Sequence, residues 1–235
     1  YVEDEQTSKH LAPLREHLSN TRTVARIVGL PGLGKSRLAF ESLGHELTRK
    51  NVVYVDCTLK RPELPDVLRR YAIQGSRAII VADNCDLELC KLLIDEIKRP
   101  ESKLSLLTID INPEENPQGA DPFIVLHPTS EGTIRKLIQQ IFGSVLPSAD
   151  IDKVVALAHG FPQIAWLIAE AHKEGVVDSS SLRDDHLFER LVWGRSNKDK
   201  DALEAITACS LFTRLGYSGR FEDEFSLVAK KFTSL

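Results

Sequence analysis

At 235 residues, with 42% hydrophobic and 27% charged residues, the chain has the composition of a globular protein able to bury a core. A formal charge of -4 gives no electrostatic footprint for duplex nucleic acid, and no apolar run approaches the roughly 18 residues of a membrane span. Cys57, Cys85, Cys90 and Cys209 show neither CxxC spacing nor partnered histidines, so reduced, buried thiols in a cytosolic protein are expected.

Along the chain, Leu11, Leu14 and Leu18 recur at helical spacing, and Ser19-Asn20-Thr21 ends that helix before a strand, Val24–Val28. A helix is predicted from Lys35 to about Lys50, with Leu38, Ala39, Leu43 and Leu47 turned inward. NVVYVDC reads as a short buried strand, and PELPDVLRRYAI as a helix with Pro65 in its first turn. RAIIVADNCD is continuously apolar up to its acids, the pattern of a central parallel strand covered on both faces. LELCKLLIDEIK is an amphipathic helix, LSLLTID and FIVL are two more strands, and INPEENPQGADP between them is an exposed loop. This alternation calls for right-handed crossovers and an open, parallel, five-stranded α/β sheet with helices on both faces.

After about His127 the pattern turns helical, through PTSEGTIRKLIQQIF, SADIDKVVALAHG, PQIAWLIAEAHKEG and DDHLFERLVWG. The expected division is residues 1–127, 128–196 and 197–235, the last ending abruptly at Leu235. With no methionine and an opening Tyr1, a piece of a longer chain or a processed product is expected.

Gly29, Gly34, Lys35 and Ser36 fit G-x-x-x-x-G-K-[ST] between a strand and a helix. Glycines let backbone N–H groups converge on phosphate oxygens, and the helix N-terminus adds partial positive charge. Pro31, Gly32 and Leu33 complete the loop, Lys35 supplies a cation for the β- and γ-phosphates, and the Ser36 hydroxyl is a hard ligand for Mg²⁺. ATP or ADP with magnesium is the expected cofactor, and no guanine-reading N-K-x-D element is present. Asp83 ends its strand where ligands of open α/β sheets bind, and is expected to help hold the metal; the competing reading is turn chemistry at Asp83-Asn84. The next position, Asn84, can hydrogen-bond a water but cannot take its proton. Slow hydrolysis follows, unless Asp86 or a residue of another chain substitutes. Thr108 reads equally as a residue reaching the γ-phosphate or as an ordinary strand threonine. Arg37 lies along the phosphates or on a solvated helix face.

GLPGLGKSRLA, AIIVADNCD and HGFPQIAWLIAE together resemble the STAND class of P-loop NTPases, which includes apoptotic ATPases, plant NB-ARC disease-resistance proteins and NACHT receptors. The resemblance implies an ASCE-type sheet, a small all-α lid domain and the start of a winged-helix domain. It also makes Gly160-Phe161-Pro162 the element whose Pro162 packs near the adenine. A nucleotide-controlled switch that self-associates when a protein or phage trigger engages absent domains is what it implies, in the manner of bacterial antiviral-defence sensors. Three other functions compete with it. An AAA+ motor or loader should carry an acid after Asp83. A small-molecule kinase needs an arginine-rich lid, where only Arg135 and Lys136 stand. A transcription regulator would keep its DNA-binding part elsewhere.

Overall fold

Five parallel strands stand in the order β2-β3-β4-β1-β5 in the computed structural model, which describes residues 5–44, 51–60, 63–113 and 116–173. They are β1 (Val24–Val28), β2 (Val52–Asp56), β3 (Ile79–Asp83), β4 (Ser105–Asp110) and β5 (Phe123–Val125). The connecting helices are α1 (Glu5–Ser19), α2 (Lys35–Ser42), α3 (Cys57–Lys60), α4 (Leu64–Ile73) and α5 (Leu87–Ile97).

Two apolar layers cover the sheet. On one face Ala25, Ile27, Val81 and Leu107 pack against Leu14 and Leu18 of α1 and Leu38 of α2. On the other, Ile80, Ala82 and Leu106 meet Leu68 of α4 and Leu93 of α5. Alternate residues of β3 thus serve opposite layers, which is why its sequence shows no polar alternation. Each such leucine or isoleucine, fully withdrawn from water, contributes about 1.5–3 kcal/mol.

Two elements differ from expectation. Among the described residues β2 is an edge strand paired only with β3, and Tyr54 is 58% exposed. Its β-branched run suits a pleated surface whether or not both faces are covered. Helix α2 stops at Ser42 instead of continuing to about Lys50. The N–H groups of Leu43 and Gly44 close onto the carbonyls of Ala39, Phe40 and Glu41, and glycine favours such an ending. The Arg15 guanidinium also donates to the carbonyls of Ser42 (3.2 Å) and Glu41 (3.1 Å). Leu47 lies outside the described residues.

The INPEENPQGADP loop is mainly exposed where described, with Pro117 and Ala120 tucked in. Beyond it come α6 (Glu131–Phe142), α7 (Ser148–Ala158) and α8 (Pro162–Lys173). Ser130 caps α6 by accepting from the Thr133 N–H at 3.2 Å. Ile134, Ile138, Val154, Val155, Ile168 and Ala169 are buried, and the three helices pack chiefly on one another. DDHLFERLVWG and all of 197–235 lie outside the described residues. Cys57, Cys85 and Cys90 are free and buried, and Cys209 is not described. No described helix is long and apolar enough to cross a membrane.

Candidate functional site

The turn between β1 and α2 is shaped by its glycines. Gly34 has φ 94° and stands as the N-cap of α2 without any side-chain cap. A Cβ built on it would meet nothing within 4 Å. The first turn of α2 thus starts without a side-chain cap beside an open cleft lined by Gly32, Gly34, Lys35 and Ser36, the arrangement that receives an anion. Leu33 anchors the loop in the core below, and Pro31 stays exposed above. Lys35 is only 9% exposed, and its Nζ donates to the carbonyls of Gly29 (2.7 Å) and Leu30 (2.9 Å). Burial lowers its pKa, while Asp83 and Asp110 act the other way.

Asp83 closes β3 on the same side of the sheet as α2. Its Oδ2 accepts from the Ser36 hydroxyl at 3.1 Å and from the Tyr54 hydroxyl, and its Oδ1 from the Asn84 N–H at 2.9 Å. Burial, and then the bond to Asp83, raises the pKa of the Tyr54 hydroxyl. Two hard oxygens 3.1 Å apart suit neighbouring positions around magnesium, where ligands at about 2.1 Å stand about 3 Å from each other. No group of three or more His, Cys, Asp or Glu among the described residues could hold a metal by itself, so phosphate and water would complete the shell.

The remaining expected residues separate. Asn84 has a left-handed backbone (φ 55°) and sends its Nδ2 to Asp56 Oδ1 at 3.2 Å. Asp86 is the N-cap of α5, accepting from the Leu89 N–H at 2.9 Å. Thr108 is not at the phosphate crevice. It is fully buried, beside Cys90, and accepts from Arg26 Nη1 at 3.3 Å. Strand parity explains this: Leu107 and Ile109 face α2, so Thr108 faces away from it. Asp110, at the C-terminal end of β4, shares the side of Thr108 and pairs there with Arg26 at 2.7 Å. Arg37 pairs with Glu41 and lies over the Phe40 ring, 5.5 Å from its centroid.

Two residues were missed by the sequence reading. Arg26 is fully buried in β1 and donates to the Cys85 carbonyl (3.0 Å) and Asp110 Oδ2 (2.7 Å). An arginine inside the apolar stretch VARIV was the available signal. Asp56, at the end of β2, is the other; it had no local motif to mark it.

Helix α8 begins at the phosphate loop. The Gln163 N–H donates to the Gly32 carbonyl at 3.3 Å. A cleft of about 400 Å³ lies between Gly32, Lys35, Ser36, Arg37, Gln163 and Trp166, and Pro162 also borders it. Beside it is a more apolar cleft of about 290 Å³, bounded by Leu33, Leu38, Leu126, Ile134 and Leu137, with Pro162 at its edge. Gly160 makes the turn into α8 possible. Its φ is 81°, and a Cβ there would fall 2.5 Å from the Thr129 carbonyl oxygen. Gly160→Ala is therefore expected to destabilise the fold by about 2–4 kcal/mol, combining left-handed strain with overlap against backbone. A shifted urea midpoint measures this, and an unchanged midpoint contradicts it.

No protein-family model and no curated protein matches the chain. Solved structures do match. Drosophila ORC bound to DNA aligns with TM-score 0.56 and 12% identity, over 86% of this chain and 65% of that one. A Signal Transduction ATPase with Numerous Domains (STAND) protein with a tetratricopeptide repeat sensor, from Pyrococcus horikoshii, gives 0.51 and 18%, over 92% and 36%. AMPPCP-bound DnaA from Aquifex aeolicus gives 0.52 and 15%, over 81% and 68%. The chain spans about a third of the STAND protein and just under two thirds of the ORC chain. At such identities it is the fold alone that is shared, a parallel α/β sheet with helices.

Proposed function

We propose that this chain is the ATP- and ADP-binding core of a STAND-type signal-transduction NTPase, a nucleotide-controlled conformational and oligomerisation switch with slow, magnesium-dependent hydrolysis. The observation that carries this reading is the bond from the Gln163 N–H to the Gly32 carbonyl, which ties the phosphate loop to a helix of the following all-α group. A ligand that reorders the loop then acts on that helix.

In this reading the α2 amides and Lys35 hold the β- and γ-phosphates, and the adenine enters the apolar cleft bordered by Pro162 and Leu126. Ser36 and Asp83 would hold Mg²⁺, which supplies charge neutralisation for the phosphates. Residues 1–127 form the nucleotide domain, 128–196 the lid, and 197–235 the start of a winged helix. Nucleotide shifts the balance because ATP and ADP contact loop and lid unequally in the two states. Asn84 after Asp83 favours this latch over an AAA+ motor or loader, which shares the sheet but needs fast turnover. The setting implied by the motifs is cytoplasmic antiviral signalling in bacteria, with a protein or phage component as trigger.

Hydrogen exchange and particle size are the tests. ATP and ADP are expected to protect residues 160–166 to different extents, and full-length protein to enlarge only with ATP and trigger. Identical protection and size with ADP, ATP and a slowly hydrolysed analogue would count against the switch. Rapid steady-state turnover would favour the motor.

A further inference from the structure

Asp56 and Asn84 form a pair that the site as described does not use. Asp56 is the register partner of Asp83 across β2 and β3, so their side chains share the α2 side of the sheet about 5 Å apart. Among the described residues, the hydrogen bonds that reach the Asp56 carboxylate converge on one oxygen. Oδ1 accepts from the Thr58 N–H (3.0 Å), the Thr58 hydroxyl (2.8 Å) and Asn84 Nδ2 (3.2 Å). No described residue hydrogen-bonds Oδ2.

We propose that Asp56 is the general base of ATP hydrolysis at this site, held in place by Asn84 as a positioning residue. The inference rests on the nucleotide reading above. In the step, a water oxygen bonds to Pγ and its proton passes to Asp56 Oδ2. The bond from Pγ to the β–γ bridging oxygen breaks, its electron pair leaves with ADP, and inorganic phosphate is the second product. The acid that many P-loop ATPases carry directly after the metal-binding aspartate is here one strand away, with an amide in the vacated position.

Other rim carboxylates are committed elsewhere. Asp86 caps α5. Asp110 has Oδ2 in the ion pair with Arg26, and its Oδ1 accepts the Ile111 N–H at 2.7 Å. Asp83 receives Ser36, Tyr54 and its own neighbour's N–H. A purely local role for Asp56, capping the short α3, accounts for the two Thr58 bonds. It does not account for Asn84, whose left-handed backbone aims an amide from the next strand at the same oxygen. The Thr58 bonds, and then that from Asn84, lower the Asp56 pKa. A carboxylate kept ionised in this way is a weak base, in keeping with slow turnover.

The test uses the full chain and two variants, Asp56→Asn and Asp56→Ser, both good helix caps that cannot play the carboxylate's part. ATP affinity by calorimetry, melting temperature and single-turnover phosphate release are measured with magnesium. Both variants are expected to bind ATP within about twofold of wild type and to release phosphate about a hundredfold more slowly, or less. The acid limb of the wild-type pH–rate profile is expected to vanish from the residual rate, and Asp56→Asn with Asn84→Asp to recover part of the turnover. Unchanged phosphate release in either folded variant overturns the assignment. Loss of ATP affinity in step with the rate makes Asp56 structural and overturns it as well. A wild type that binds ATP but never releases phosphate overturns the base while sparing the nucleotide site; one that binds no ATP overturns both.

Discussion

Lys35→Ala is expected to weaken ATP binding about a hundredfold and to abolish co-purification of nucleotide. The ammonium would make charge-assisted bonds to two phosphates, each contributing about 1.5–3 kcal/mol. With water replacing part of that interaction, a net loss of about 3 kcal/mol remains, which is roughly two orders of magnitude in affinity. The fold should survive. Lys35 is withdrawn from water at a cost to its charged form, as its lowered pKa records, so truncation removes an electrostatic burden together with two loop contacts. The sign can be checked by titration. Because the folded pKa lies below 10.5, the unfolded chain binds more protons as pH rises through that interval, and wild-type stability climbs towards alkaline pH. Lys35→Ala should lack that climb. Calorimetry with ATP and magnesium, and urea melts between neutral and alkaline pH, measure the two effects. Full affinity in the variant would exclude the loop as the phosphate site.

Asp110→Ala is expected to have the largest effect on stability, about 3–5 kcal/mol, because it strands a buried cation. Arg26 has no exposed surface, and its Nε has no hydrogen-bond partner among the described residues. Asp110 Oδ2, at 2.7 Å, is its counter-charge, whereas the Cys85 carbonyl and the Thr108 hydroxyl offer only dipoles. Removing the carboxylate leaves the guanidinium charged and unable to reach water. Arg26→Met combined with Asp110→Ala should recover most of the loss, since an apolar side chain of similar length suits that layer. Urea unfolding of the two single variants and the double closes the cycle. A cost below about 1 kcal/mol for Asp110→Ala would show that the charge is balanced elsewhere.

Much of this architecture is legible in one dimension because it is local. Val24–Val28 announces a strand by branching, Gly34-Lys35-Ser36 announces a loop by spacing, and Ser130 announces a helix by capping. What escaped depends on which strand lies beside which. Nothing near Arg26 in the chain says that its partner stands 84 positions later, because the pairing of β1 with β4 creates that neighbour. Asp56 acquires its meaning only when β2 is laid in register with β3. Thr108 was one of two equal readings until the period-two alternation of β4, anchored by Leu107 and Ile109 in the α2 layer, assigned it to the far side. The edge position of β2 belongs to the same class, because crossover order is a global property of the fold.

The bond from Gln163 to Gly32 also sets a scale for control. One neutral backbone hydrogen bond at 3.3 Å is worth about 1 kcal/mol net, a bias of roughly fivefold between two arrangements. Moving a population from 1:99 to 99:1 takes about 5.5 kcal/mol. That bond alone falls far short of such a shift, and the Phe161 ring packed against the α2-side layer adds to the hold, so a switch of the kind proposed would have to draw on the binding energy of a ligand in the neighbouring cleft.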